Sequence, residues 1–206
     1  MGVGDEGLRP AVFLDRDGVI VEPVPDALLG TDESPYRAQD VALVAGAAQA
    51  IRALREQGFL LVGVSNQPAA AKGNAKLEDL RAVHARTSEL LSAHDADLDD
   101  WRYCFHHPAG VDPALAGPCG CRKPAPGLLL AAAAQHEIDL EQSWTVGDSD
   151  SDVAAGAAAG TRTVLVEHPR SRHRRHGTPA PTCTVIDLRS ATSAIAGRSM
   201  PAGDPG

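Results

Sequence analysis

The sequence predicts an α/β protein: a single domain in which a parallel β-sheet carries helices on both faces. Three observations lead there. Short apolar runs of strand length alternate with helix-length amphipathic or Ala/Leu-rich stretches. Polar clusters fall at the carboxyl ends of the runs, where open parallel sheets bind ligands. A chain of 206 residues suits one domain with a substantial core.

The elements follow in order. Ala11 to Leu14 is apolar and short enough for a buried strand, and Gly18 can turn the chain after it. The stretch Gly46 to Gln57 sets Ala50, Ile51 and Leu54 on one helical face. Gly58 to Val64 reads as a buried strand ending at Ser65-Asn66-Gln67. A longer helix is expected over Leu77 to His94, through Leu80, Val83, Thr87, Leu90 and Leu91, and a strand over Trp101 to Phe105. Pro126 to His136 is a helix with proline at its start. Ser143 to Val146 is a strand ending at Gly147-Asp148, and a helix over Asp152 to Ala159 closes at Gly160. Thr161 to Val166 and Thr182 to Ile186 complete the strands.

The remaining segments lack periodicity. Val21 to Gln39 is a long connection with prolines and acids, a kind of loop that is usually functional or mobile. The basic run His168 to His176 is expected to be a solvated loop rather than a phosphate-recruiting patch. Domain limits of 10–195 follow, with a flexible N-terminus over 1–9 and a disordered tail over 196–206.

Composition narrows the function. A net charge of −8 and only 3% aromatic residues argue against a nucleic-acid partner. An anionic substrate then requires a local positive site. No apolar stretch is long enough to span a membrane, and residues 1–10 carry no signal-peptide core, so the cytoplasm is the expected location. In that compartment four cysteines are not expected to form disulfides.

Two clusters carry chemistry. Asp15 and Asp17 stand two apart at a strand end, so their carboxylates share one face. Like charges that close are costly unless a cation neutralises them or they share a proton. A magnesium site in which one carboxylate also attacks phosphorus meets that constraint; a solvated turn after the strand is the alternative reading of the same residues. Cys104, His106, Cys119 and Cys121 offer three sulfurs and an imidazole, the ligand set of a closed structural zinc site over loop 104–121. His107 competes with His106, and spacing alone does not choose between them. Cys183 lies apart and reads as a core thiol.

DRDGVI (15–20), SNQ (65–67), the CxH…CxCRKP pattern (104–124) and VGDSDSD (146–152) together resemble motifs of the haloacid dehalogenase (HAD) phosphohydrolases. The cysteine loop narrows the resemblance to the subclass of heptose bisphosphate and histidinol-phosphate phosphatases. Its spacing favours His106 as the ligand. The resemblance implies a Rossmann-like three-layer domain with a minimal cap. It makes Asp15 the nucleophile of an aspartyl-phosphate intermediate and Asp17 the acid and then base. The Ser65 hydroxyl would bind the phosphoryl group with the backbone of Asn66 and Gln67 closing around its oxygens, and Lys123 would hold nucleophile and phosphate together. Asp148 would complete a Mg2+ site with Asp15 and the backbone carbonyl of Asp17, with Zn2+ in the cysteine loop. Arg122 resembles the arginine that recognises substrate in the heptose enzymes.

The chain also departs from the pattern. The heptose enzymes carry lysine after the last motif aspartate; here Ser149 follows Asp148. Asp152 is either an acid supporting the site or a residue of the first helical turn. The expected function is hydrolysis of a small sugar phosphate, foremost a heptose 1,7-bisphosphate, by a monomeric enzyme. Histidinol phosphate is the alternative substrate, and a non-catalytic HAD-like binding module is the alternative of another class.

Overall fold

The computed structural model describes residues 7–26 and 30–199. In chain order they form β1 (Arg9–Leu14), β2 (Val24–Asp26), β3 (Thr31–Glu33), α1 (Ala47–Glu56), β4 (Leu60–Asn66), α2 (Leu77–Ser92), β5 (Asp100–Cys104), α3 (Gly127–His136), β6 (Ile138–Gly147), α4 (Asp150–Ala159), β7 (Arg162–Val166), β8 (Cys183–Val185) and α5 (Leu188–Ser199). Short 3-10 helices cover Ala38–Asp40 and Pro169–Arg174. Six strands make one parallel sheet in the order β5-β4-β1-β6-β7-β8, while β2 and β3 pair antiparallel on their own.

The period of two along β1 builds both cores. Val12 and Leu14 join Ile51 and Leu54 of α1, Val83 and Leu91 of α2, and Ile195 of α5. Ala11 and Phe13 point the other way, toward Leu128, Leu129 and Ala132 of α3 and Ala155 and Ala159 of α4. A strand covered on both faces must be apolar throughout, which is why Ala11 to Leu14 reads as an unbroken hydrophobic run. Because all six strands run parallel, the ends of β1, β4, β5 and β6 open on one edge, bringing Asp15, Ser65, Cys104 and Asp148 to the same side.

Most expected elements form, with shifted ends. β6 starts at Ile138 rather than Ser143, because the sheet register slips between Pro10 and Val12. The Ser143 hydroxyl covers the slip by accepting the Ala11 N–H at 2.9 Å. Arg9, expected in the flexible N-terminus, already belongs to β1 and donates its N–H to Glu137 O at 3.0 Å. The expected tail loses residues 196–199 to α5, whose Leu188, Ala191 and Ile195 are buried at helical spacing. Residues 1–6 and 200–206 of the two terminal expectations lie outside the described residues. Val21 to Gln39 contains the β2–β3 hairpin, with strands of three residues each, too short to show a period. No helix among the described residues is long and apolar enough to cross a membrane.

Burial sets an energetic contrast between core and surface. Leu54→Ala, at a fully buried site of α1, is expected to cost about 2–5 kcal/mol. Ile186→Ala, at a side chain 74% exposed, should stay within about 0.5 kcal/mol. Urea unfolding of both variants beside the parent chain checks the difference.

Candidate active site

The chain enters the site where β1 ends. Asp15 N–H donates to Val146 O of β6 at 2.9 Å, which fixes the backbone at the edge of the sheet. Gly18 then turns the chain at a φ of +84°, in the left-handed region that only glycine adopts freely. A Cβ at this position would lie 1.9 Å from Asp148 Oδ2, so the turn needs glycine for space as well.

Around this turn sits a buried charge cluster. Lys123 Nζ donates to Asp15 Oδ1 at 2.8 Å and to Val64 O at 2.8 Å, and lies 2.5 Å from Asp152 Oδ1. Asp15, Asp148 and Asp152 each offer an oxygen within 4.8 Å of the other two. All three acids and the lysine are buried. Burial, the Asp152 charge and Asp17 push the Asp15 carboxyl up to about 6 against the pull of Lys123. Burial and the charges of Asp15 and Asp152 raise Asp148 well above the usual carboxylate range. For Lys123 burial acts downward, but Asp15 and Asp152 outweigh it and hold the ammonium protonated.

Three carboxylates against one ammonium leave negative charge to be balanced. Asp148 directs one oxygen to the hydroxyl of Ser171, while its buried Oδ1 has no hydrogen-bond partner. An all-oxygen donor set with an unpaired buried oxygen fits a hard divalent cation such as Mg2+. Asp152 answers to both of its expected roles. Its Oδ2 accepts the Ser149 N–H at 3.1 Å and caps α4, while Oδ1 reaches Lys123.

Asp17 stands outside that trio. Arg16 grips it through Nε at 2.9 Å and Nη2 at 3.1 Å, Ser34 Oγ donates at 2.8 Å and Gln67 Nε2 at 2.6 Å. Burial raises its pKa, yet the Arg16 charge and these hydrogen bonds prevail and keep it below the usual range. Gln67 therefore works differently from the expectation. Its amide also donates to Ser65 Oγ at 2.9 Å, its N–H goes to Cys104 O at 2.7 Å, and it does not line the cleft. Its side chain braces Asp17 and Ser65, and its backbone N–H, expected to close around phosphate, is taken up by Cys104 O. Asn66 lines the cleft and holds the Lys123 backbone from both sides, accepting its N–H at 3.0 Å and donating to its carbonyl at 2.9 Å.

The cleft has a volume of about 310 Å³ and is lined by Asp15, Asp17, Ser65, Asn66, Arg122 and Lys123, as the sequence suggested. It is also lined by Ser34, Lys72 and Arg174, which the sequence did not single out. Arg174 comes from the run expected to be a solvated loop. That run instead folds over the site: Ser171 is buried against Asp148, and Arg175 donates to the carbonyls of Asp148 and His168. The nine-residue cluster of basic side chains was the visible signal, and only the fold gives it a direction.

Beside the cleft the cysteine loop closes on itself. The Cys104, Cys119 and Cys121 sulfurs lie 3.1–3.6 Å apart, and His106 Nδ1 is 3.6 Å from Cys121 and 3.8 Å from Cys104. Four donors at about 2.3 Å from a shared centre stand about 3.7 Å apart, so the set fits tetrahedral Zn2+. His107 points elsewhere and accepts the Ala109 N–H at 3.1 Å, leaving His106 in the cluster. Cys183 is separate and packs against the larger core.

Comparison with known proteins agrees with this geometry. The HAD-hydrolase-like family model matches residues 120–191. The D-glycero-beta-D-manno-heptose-1,7-bisphosphate 7-phosphatase of Rhodopseudomonas palustris is 40% identical over 152 residues, covering 74% of this chain and 80% of that protein. The corresponding enzyme of Thermosynechococcus vestitus is 38% identical over 163 residues, covering 77% and 79%. The solved D,D-heptose 1,7-bisphosphate phosphatase of B. bronchiseptica, complexed with magnesium and phosphate, superposes with a TM-score of 0.75 at 27% identity, covering 91% of this chain and 98% of that one. With its parallel sheet, its carboxylates and lysine at one sheet edge and these relatives, the chain belongs to the HAD-like hydrolases and is one of their phosphomonoesterases.

Proposed function

We propose that the protein is a magnesium-dependent phosphatase that removes the 7-phosphate from D-glycero-D-manno-heptose 1,7-bisphosphate through an aspartyl-phosphate. The observation that carries this reading is Lys123 Nζ at 2.8 Å from Asp15 Oδ1, beside two further buried carboxylates in a cleft. The names of the relatives at 38–40% identity support the substrate. The chemistry of the cleft supports the reaction.

Asp15 is the nucleophile. Lys123 and the Arg16 N–H, at 2.8 Å each, both bind its Oδ1, leaving the other oxygen to form the bond to phosphorus. As that bond forms, the sugar oxygen departs and takes a proton from Asp17. Asp17 then removes a proton from water, whose oxygen attacks phosphorus and returns Asp15 as a carboxylate. Splitting one displacement into two is the gain of covalent catalysis. The Arg16 fork and the Ser34 and Gln67 hydrogen bonds favour the ionised Asp17, the form needed to activate water. Ser65 Oγ, on the cleft wall, would donate to a phosphoryl oxygen, and Lys123 would add its positive charge there.

Asp15, Asp148 and the backbone carbonyl of Asp17 would hold Mg2+, with Asp152 adjacent. Bound there, magnesium supplies positive charge to the phosphoryl oxygens and relieves their repulsion from the acids. Cys104, His106, Cys119 and Cys121 would hold Zn2+, which anchors the segment leading into Arg122 and Lys123. We also assign the enzyme to the cytoplasm, in keeping with cysteines that are in no disulfide, and read it as a monomer.

A phosphate-release screen across sugar mono- and bisphosphates and histidinol phosphate tests the substrate. Heptose 1,7-bisphosphate should give the highest kcat/KM, and a preference for histidinol phosphate would transfer the enzyme to the sister activity. Asp15→Asn should lower turnover by at least about 10³-fold with an unchanged circular-dichroism spectrum and zinc content; near-parent turnover would exclude the covalent route. Cys119→Ser should bind less zinc, measured by elemental analysis, and melt at a lower temperature. Full zinc occupancy at an unchanged melting point would speak against the cluster.

A further inference from the structure

Three cations of the cleft, Lys72, Arg122 and Arg174, have no part in the transfer just described. Arg174 lines the same cavity as Asp15, Asp17 and Lys123, but it arrives from the 3-10 helix Pro169–Arg174, beyond β7. Its Nη2 donates to Asp32 O at 3.3 Å and to Glu33 Oε2 at 3.2 Å, both on β3. Its Nη1 has no protein partner among the described residues.

The guanidinium is held in place by its neighbours. Arg170 donates to Pro23 O at 3.2 Å and Asp32 Oδ1 at 3.1 Å, on the segment that carries the hairpin. On the other side Ser171 is buried against Asp148, and the His176 N–H donates to Asp150 Oδ2 at 2.6 Å. A side chain clamped at both ends of its helix presents a fixed cation. Half-buried and near Asp148, Asp17 and Asp15, it faces the reaction centre.

The first turn of α4 offers no cation that could act in its place. Ser149 follows Asp148, and its hydroxyl donates to Asp152 Oδ2 at 2.5 Å. Lys123 is already committed to two carboxylates. A planar guanidinium with free N–H donors is suited to a phosphate dianion, which it can bind through two parallel hydrogen bonds.

We infer that Arg174 binds the phosphate that remains on the sugar, and thereby selects bisphosphates over monophosphates. This inference rests on the bisphosphatase reading above. Asp15, Ser65 and Lys123 serve the phosphoryl group being transferred. Arg174, with Arg122 and Lys72 on the same cavity wall, serves the other end of the substrate.

The test is the ratio of kcat/KM for heptose 1,7-bisphosphate to that for heptose 7-phosphate, measured in the magnesium-loaded full chain. Arg174→Gln should lower this ratio about 10- to 100-fold, mainly through the KM of the bisphosphate. Arg174→Lys should recover part of it. Because both substrates are measured on one preparation, partial misfolding cancels from the ratio. A ratio within about twofold of the parent, or a change confined to kcat, overturns the inference while leaving the bisphosphatase reading intact. A parent enzyme with no preference for the bisphosphate overturns both.

Discussion

The site depends on one buried ammonium. Lys123 Nζ sits among Asp15, Asp152 and the Val64 carbonyl, shielded from solvent together with its partners. Isolated buried charges carry a large desolvation cost, and only close, well-bonded pairing makes them tolerable. Everything that positions Lys123 is therefore part of the proposed catalytic arrangement. Asn66 clamps its peptide from the end of β4, and the cysteine cluster fixes the chain immediately before it. Asp152 shares its carboxylate between the start of α4 and the lysine, tying the helix to the site.

Much of this was legible in the chain. The apolar run before Asp15 marks a strand buried on both faces, and the parallel sheet follows from the alternation of elements. From that sheet comes the convergence of Asp15, Ser65 and Asp148 at one edge. The short spacing of Cys104, Cys119 and Cys121 likewise signals a cluster, although the fold is what brings His106 rather than His107 to it. Local patterns record such features because each belongs to a single strand end or a short loop.

Less legible were features that depend on which side of the molecule a segment covers. The basic run 168–176 has no periodicity, so its charge pattern suits a solvated loop as well as a cleft wall. Only the buried contact of Ser171 with Asp148 gives it direction. Gln67 belongs to a motif expected to meet phosphate, yet its side chain hydrogen-bonds Asp17 and Ser65 and its N–H goes to Cys104 O. The Val24–Glu33 hairpin is too short for periodicity, and its partner Arg174 lies 141 residues from Glu33. Long-range ion pairs leave no local mark in a sequence.

The hairpin and the 3-10 helix are joined through Asp32 with Arg170 and Glu33 with Arg174, two stretches from opposite halves of the chain. Neither belongs to the six-stranded sheet that holds the acids and the lysine. Divergence can therefore remodel the entrance while the engine stays constant, provided that exchanges on one lip are answered on the other. In related enzymes with new preferences, covariation should concentrate along this seam.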